Sequence, residues 1–181
     1  MMNLTNHFLV AMPSFNHGDI FSGSVVCITE HNGSNGAVGV IINKPVGRTL
    51  INAFHGVDLA KYNPNWLKRP LYLGGPINSS HGFVLHYKFN DGKLFELTDN
   101  KNILTQIANG NNKDQLFVSV GYAAWQQFQV ESEIIHNEWL VVKADAGLIF
   151  DVDPINRYDE ALKLLGINNI SQLYCSGDVF A

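Results

Sequence analysis

The sequence predicts an α/β domain bordering on α+β: a compact mixed β-sheet with antiparallel hairpins, flanked by helices. Three observations point to it. β-Branched runs stand in pairs around turn-rich linkers, and segments with helical spacing of apolar residues are interspersed among them. Of the 181 residues, 46% are hydrophobic and only 15% charged, against about 25% charged in a usual soluble domain. The chain therefore has the material for a sizeable core and fits one domain over residues 1–181.

The first strand is His7 to Ala11, stopped by Met12-Pro13-Ser14 because proline cannot donate to a sheet ladder. Ser24 to His31 and Ala37 to Asn43 flank Asn32-Gly33-Ser34-Asn35-Gly36 and should form an antiparallel hairpin. Lys44-Pro45 ends the second of these strands, and Thr49 to Phe54 has the N-cap and spacing of a short helix. Residues 60–69 read as an irregular connection before the strand Pro70 to Leu73, which Gly74-Gly75-Pro76 terminates. A second hairpin pairs Phe83 to Phe89 with Lys93 to Leu97 across Asn90-Asp91-Gly92.

Asp99 caps an expected helix reaching Ala108, with Gly110 beyond it. Leu116 to Val120 is the next strand, ended by Gly121-Tyr122-Ala123-Ala124-Trp125. Phe128 to Asn137 follows as an amphipathic helix, with Val130, Ile134 and Ile135 opposite Glu131 and Glu133. Trp139 to Val142 is the last strand, and Pro154 to Leu165 a helix with proline near its start and Gly166 at its end. The tail after Asn168 should pack loosely.

Composition narrows function mainly by exclusion. Twelve Lys and Arg against sixteen Asp and Glu give a net charge of −4, without the cationic excess that drives non-specific nucleic-acid binding. The two cysteines, Cys27 and Cys175, lie far apart with no C-x-x-C, a reducing-compartment pattern. No charged leader or long apolar span opens the chain, so the expected location is cytoplasmic and no membrane partner is expected. Phosphate loops, dinucleotide fingerprints, H-E-x-x-H and G-x-S-x-G are absent, the seven histidines show no ligand spacing, and no metal or cofactor is implied.

Two sets of residues stand out as candidate sites. Asn43-Lys44, Gly74-Gly75 and Gly121-Tyr122 each sit where a predicted strand gives out. If the segment Thr49 to Phe54 is a crossover, these ends share an edge where open sheets bind ligands. Lys44 would be its charge, Tyr122 and Trp125 its apolar walls, and the glycines its points of close backbone approach. The bland reading of the same glycines is tight turns and packing. The second set is Glu30 and His31, an acid-base pair at the hairpin tip that would suit a small hydrolase or transferase; the plain alternative is a solvated turn. The hairpin separates them from Lys44 by a strand length. Cys27 alternates within a β-run and reads as a buried thiol, while Cys175 should react faster. Adjacency of Ser79, Ser80 and His81 does not make a nucleophile-base geometry, and a loop role suits them.

Taken in order, N-L-T-N-H-F-L-V-A-M-P (3–13), S-V-V-C-I-T-E-H-N (24–32), G-A-V-G-V-I-I-N-K-P (36–45), L-Y-L-G-G-P (71–76), G-F-V-L-H (82–86), G-Y-A-A-W (121–125) and W-L (139–140) resemble the YqgE/AlgH family over nearly the whole chain. The resemblance implies a compact mixed sheet flanked by helices. It brings a transcriptional-regulator label that rests on genetic association, and no established activity. Family members commonly carry a cysteine where this chain has Thr29 and an aromatic where it has Cys27, so the resemblance passes on no redox role tied to that position. The ending Ser176-Gly177-Asp178-Val179-Phe180 also departs from the usual Gly-His-Ala. The expectation is a binding or regulatory module acting through a protein or small-molecule partner, leaning away from an enzyme and without direct DNA binding.

Overall fold

The computed structural model describes residues 2–14, 20–53, 67–90, 93–99 and 116–174. Expectations for the connection 60–66, the helix from residue 100 to 108, Cys175 and the last residues fall outside these. Nine strands form one sheet: β1 (His7–Ala11), β2 (Val25–Asn32), β3 (Gly36–Ile41), β4 (Pro45–Thr49), β5 (Pro70–Leu73), β6 (Ile77–Asn90), β7 (Lys93–Thr98), β8 (Leu116–Trp125) and β9 (Trp139–Lys143). Among the described residues the helices are α1 (Leu50–Ala53), α2 (Gln129–Ile135), α3 (Ala146–Phe150), α4 (Arg157–Leu164) and α5 (Ser171–Tyr174), with a 3₁₀ turn at Pro154–Asn156. The mixed α/β fold expected from the sequence is the fold observed.

Strands β9, β1, β2 and β3 pair antiparallel in that order, and β3 pairs antiparallel with the end of β8. Phe8 to Ala11 of β1 and Val25 to Ile28 of β2 are continuously apolar because both faces are covered there. Phe8, Val10, Val25 and Cys27 enter one core, with Leu85 and Phe95 of the β6–β7 hairpin and Leu148, Ile149, Ala161 and Leu162 of α3 and α4. Leu9, Ala11, Val26 and Ile28 enter a second, closed by Val130 of α2 and by Trp125 and Trp139. This period of two is the pleat of a strand.

Topology departs from the sequence expectation at β5. Strands β3 and β5 do not run parallel through a crossover; the parallel pair is β5 with β8. After Lys44 the chain does not leave the sheet but continues as β4, which among the described residues pairs with β5 alone. Pro45 is tolerated there because an edge strand has a side that needs no donor. β5 is therefore wedged into a fork: Ile41 N–H donates to Gly74 O (2.8 Å) and Leu73 N–H to Lys44 O (2.8 Å) on one side, and Gly74 N–H donates to Val120 O (2.8 Å) on the other. Ser119 and Val120 also pair with β6, so β6 lies on the far side of β8. To get there, Gly74-Gly75-Pro76 must cross over β8.

β8 itself is longer than expected. Gly121 does not end it: at φ 70° it turns the strand, which runs on to Trp125. Phe117 before it serves the first core, and Ala123 and Trp125 after it serve the second. β6 starts at Ile77 rather than Phe83, because the stretch between the pairs Ile77–Tyr122 and Gly82–Val120 bulges out of the ladder. The helix α3 went unread in the sequence. It is a five-residue turn whose sign is the Asp145 side chain accepting Leu148 N–H (3.2 Å) as an N-cap. The expected helix from Pro154 begins as the 3₁₀ turn and becomes α-helical only from Arg157.

Candidate functional site

Where β3, β5 and β8 meet, backbone crosses backbone. A Cβ on Gly74 would overlap the carbonyl oxygen of Gly121, one on Gly75 the carbonyl group of Tyr122, and one on Gly121 the carbonyl oxygen of Gly75. These positions require glycine for space, and Gly121 also for its left-handed φ. The expected convergence of Asn43-Lys44, Gly74-Gly75 and Gly121-Tyr122 is present in the geometry, but it arises from a chain crossing and not from parallel strand ends. Over the crossing arches the β6 bulge, where Asn78 (φ 52°), Ser79, Ser80 and His81 are exposed. Ser80 Oγ lies 3.2 Å from His81 Nδ1, both open to solvent. Tyr122 is half-buried, edge-on to Phe83 at 5.1 Å between centroids.

Lys44 is neither a solvated strand-end charge nor poised in an open cleft. Its Nζ donates to Ile20 O (2.6 Å) and Ser22 O (2.7 Å), tying the segment before β2 to the end of β3. Asn43 does the same from its side: Oδ1 accepts Val25 N–H (2.9 Å) and Nδ2 donates to Gly23 O (2.9 Å). Trp125 is not at the mouth of this region. It is 4% exposed in the second core, where it meets Phe21 and Trp139 (centroids 5.9 and 6.1 Å). Its displacement follows from the turn at Gly121, which sends the end of β8 to the other core.

At the opposite end of β3, Glu30 and His31 do not make an acid-base pair. Neighbours on a strand project to opposite faces; Glu30 is exposed and His31 buried. His31 Nδ1 accepts Leu4 N–H (3.0 Å), and Nε2 lies 3.1 Å from Glu131 Oε1 on α2. Val130 and Ile134 of α2 face the second core as the helical wheel expects, but Glu131 and Glu133 turn inward beside them. Glu133 Oε2 accepts both indole N–H groups, Trp125 at 2.7 Å and Trp139 at 2.8 Å, and Ile135 is left 77% exposed. Two buried indoles need acceptors, and that need outweighs burying one isoleucine.

A further buried cation was missed in the sequence. Arg157 is 4% exposed and donates to Val152 O (2.9 Å) and to Ile42 O, with its guanidinium 5.1 Å from the Tyr72 centroid and 5.9 Å from that of Phe117. Burial lowers its pKa and raises that of Tyr72, while their mutual contact opposes both shifts. It lies on the exposed-looking first turn of a charged helix, so no periodicity marked it. Cys27 is a free, fully buried thiol whose pKa burial drives far up. Among the described residues no group of His, Cys, Asp and Glu could hold a metal ion, and no helix is long and apolar enough to cross a membrane.

Comparison with known proteins places the chain in a family. The sequence profile described as AlgH-like matches residues 8–170. The chain belongs to the AlgH-like family. Similar members include a UPF0301 protein of Polaromonas sp., 39% identical with 93% of this chain and 92% of the relative covered. A UPF0301 protein of Cupriavidus metallidurans is 40% identical, with 98% and 94% covered. Among solved structures, the AlgH protein from Pseudomonas aeruginosa superposes with a TM-score of 0.75 at 32% identity, covering 96% of this chain and 94% of that one. A Corynebacterium diphtheriae protein shares the fold at 18% identity and a TM-score of 0.67. The AlgH-like family has no assigned reaction to pass on.

Proposed function

We propose that this AlgH-like protein is a cytoplasmic binding module that acts through a protein or small-molecule partner, without a reaction of its own and without reading duplex DNA. The observation that carries the reading is how the reactive side chains are employed: His31 holds Leu4 and Glu131, Lys44 holds the carbonyls of Ile20 and Ser22, and Cys27 is sealed in the core. Groups spent on holding backbone are poor acids, bases and nucleophiles. The surface proposed for a partner is the exposed Asn78 to His81 arch together with the half-buried Tyr122, carried on the crossing of Asn43, Lys44, Gly74, Gly75 and Gly121. Clustered left-handed residues and a strand bulge are features that folds keep at functional sites.

The test pairs binding with turnover. The full chain is screened by thermal shift against nucleotides, sugar phosphates, amino acids and short acidic peptides, and assayed in parallel on chromogenic ester and phosphomonoester probes. The reading expects at least one class to raise the midpoint with no turnover. Hydrolysis that Glu30→Gln abolishes would instead establish the hydrolase alternative.

A further inference from the structure

We propose that the buried His31–Glu131 pair is an acid-sensitive latch: protonation of His31 releases the turn carrying Leu4 and uncovers that residue's apolar seat at the end of the second core. The argument is one of donors and acceptors. A backbone N–H only donates, so the 3.0 Å contact from Leu4 N makes Nδ1 an acceptor without a proton. The ring's one proton is then on Nε2, donated to Glu131 Oε1 at 3.1 Å. Charging the ring puts a proton on Nδ1, so two donors face each other across that contact. One bond must go, and it is the one to Leu4.

The groups around the ring favour this outcome. From α2 the facing charge is Glu131, whose side chain is 18% exposed and whose Oε2 is buried without a hydrogen-bond partner among the described residues. That carboxylate accepts the Nε2 proton in either state of the ring, so the Glu131 side of the pair has no need to open. From β3 the neighbour opposite is Ala37. From the turn, Thr5 Oγ1 accepts His31 N–H (3.0 Å), and His7 is turned to Thr5 O through its Nδ1 (3.0 Å). The opening also has a natural end. Asn6 is fixed independently: its N–H donates to Ile28 O (3.0 Å), its carbonyl accepts Ala144 N–H (2.9 Å), and its Oδ1 accepts Leu94 N–H (2.8 Å). Release must also break the bond from His7 N–H to Leu4 O (3.0 Å) and is bounded by Asn6, leaving β1 paired and exposing the site of Leu4, which is 1% exposed when latched.

The test is nitrogen-15 NMR on the labelled full chain, titrated from about pH 7 to about pH 5, the range of histidine switches. The expected result at the upper end is an imidazole protonated at Nε2. On acidification the Leu4 amide loses exchange protection with the same midpoint as His31, while Asn6 stays protected. Glu131→Gln moves that midpoint to lower pH, because the charged ring loses its counter-ion, and His31→Gln removes the coupled opening. Should His31→Gln fail to fold, the tautomer and the Glu131→Gln shift decide. An Nδ1-protonated ring, a ring that stays neutral across the range, or a His31 that titrates while Leu4 stays protected overturns the latch.

Discussion

Lys44 shows how much a single side chain's surroundings alter its meaning. As a strand-end charge it would be replaceable within about 0.5 kcal/mol. With Nζ on the carbonyls of Ile20 and Ser22 it is a strap, and hydrogen bonds from charged groups contribute about 1.5–3 kcal/mol. Partial exposure reduces this, so Lys44→Met should cost about 1–2 kcal/mol in urea unfolding; a cost indistinguishable from zero would mean the strap does not hold. Gly75→Ala should be far worse. Its methyl would overlap the Tyr122 carbonyl, backbone that cannot step aside, and a loss beyond about 4 kcal/mol, read as failure to give native near-ultraviolet dichroism, is expected. By sequence alone these glycines suit packing as well as a ligand cleft. Only the strand order, in which β5 must cross β8, explains why glycine is needed.

Two helices are held to the sheet by polar side chains, and individual contacts are testable. Glu133 collects both indoles beneath α2, so Glu133→Ala should cost about 2–3 kcal/mol and change the tryptophan fluorescence, whereas Glu133→Gln, which keeps an acceptor, should cost less. On α4, Tyr158 Oη donates to Ala11 O at 2.6 Å, and burial, with smaller contributions from Tyr174 and Asp159, pushes its pKa up to about 12 from 10.0. A folded value above the unfolded one gives stability that is intact below pH 10 and lost as pH rises toward 12. Alkaline unfolding of Tyr158→Phe should lack this component, at a cost of about 1 kcal/mol near neutrality. Elements with strong local signals were legible: β1, the β2–β3 hairpin, β5, the β6–β7 hairpin and β9 follow from alternation and turn chemistry. What was not legible depends on partners remote in sequence. The continuation of β8 past Gly121, the inward turn of Glu131 and Glu133, and the burial of Arg157 under Tyr72 and Phe117 are set by tertiary contacts that no local periodicity records.

At the scale of the molecule, one sheet separates two cores, and its two ends carry different chemistry: the glycine crossing with Lys44 at one, the His31–Glu131–α2 network at the other. A net charge of −4 and an acidic α2 work against the phosphate backbone, so the proposed module is expected to show, in a mobility shift at low salt, no complex that survives competitor DNA. The convergence of Asn43, Lys44, Gly74, Gly75, Gly121 and Tyr122 was legible from three strand ends, but the crossing that produces it was not, and Trp125 goes to the second core while Glu30 and His31 part. The measurement that bears most directly on the binding-module account is an amide shift map of the labelled protein with whichever compound class raises its thermal midpoint. Perturbations centred on Lys44, Gly74, Gly75, Gly121, Tyr122 and the Asn78 to His81 arch are predicted. A map centred on Glu30 and α2, with the crossing unmoved, would contradict the account.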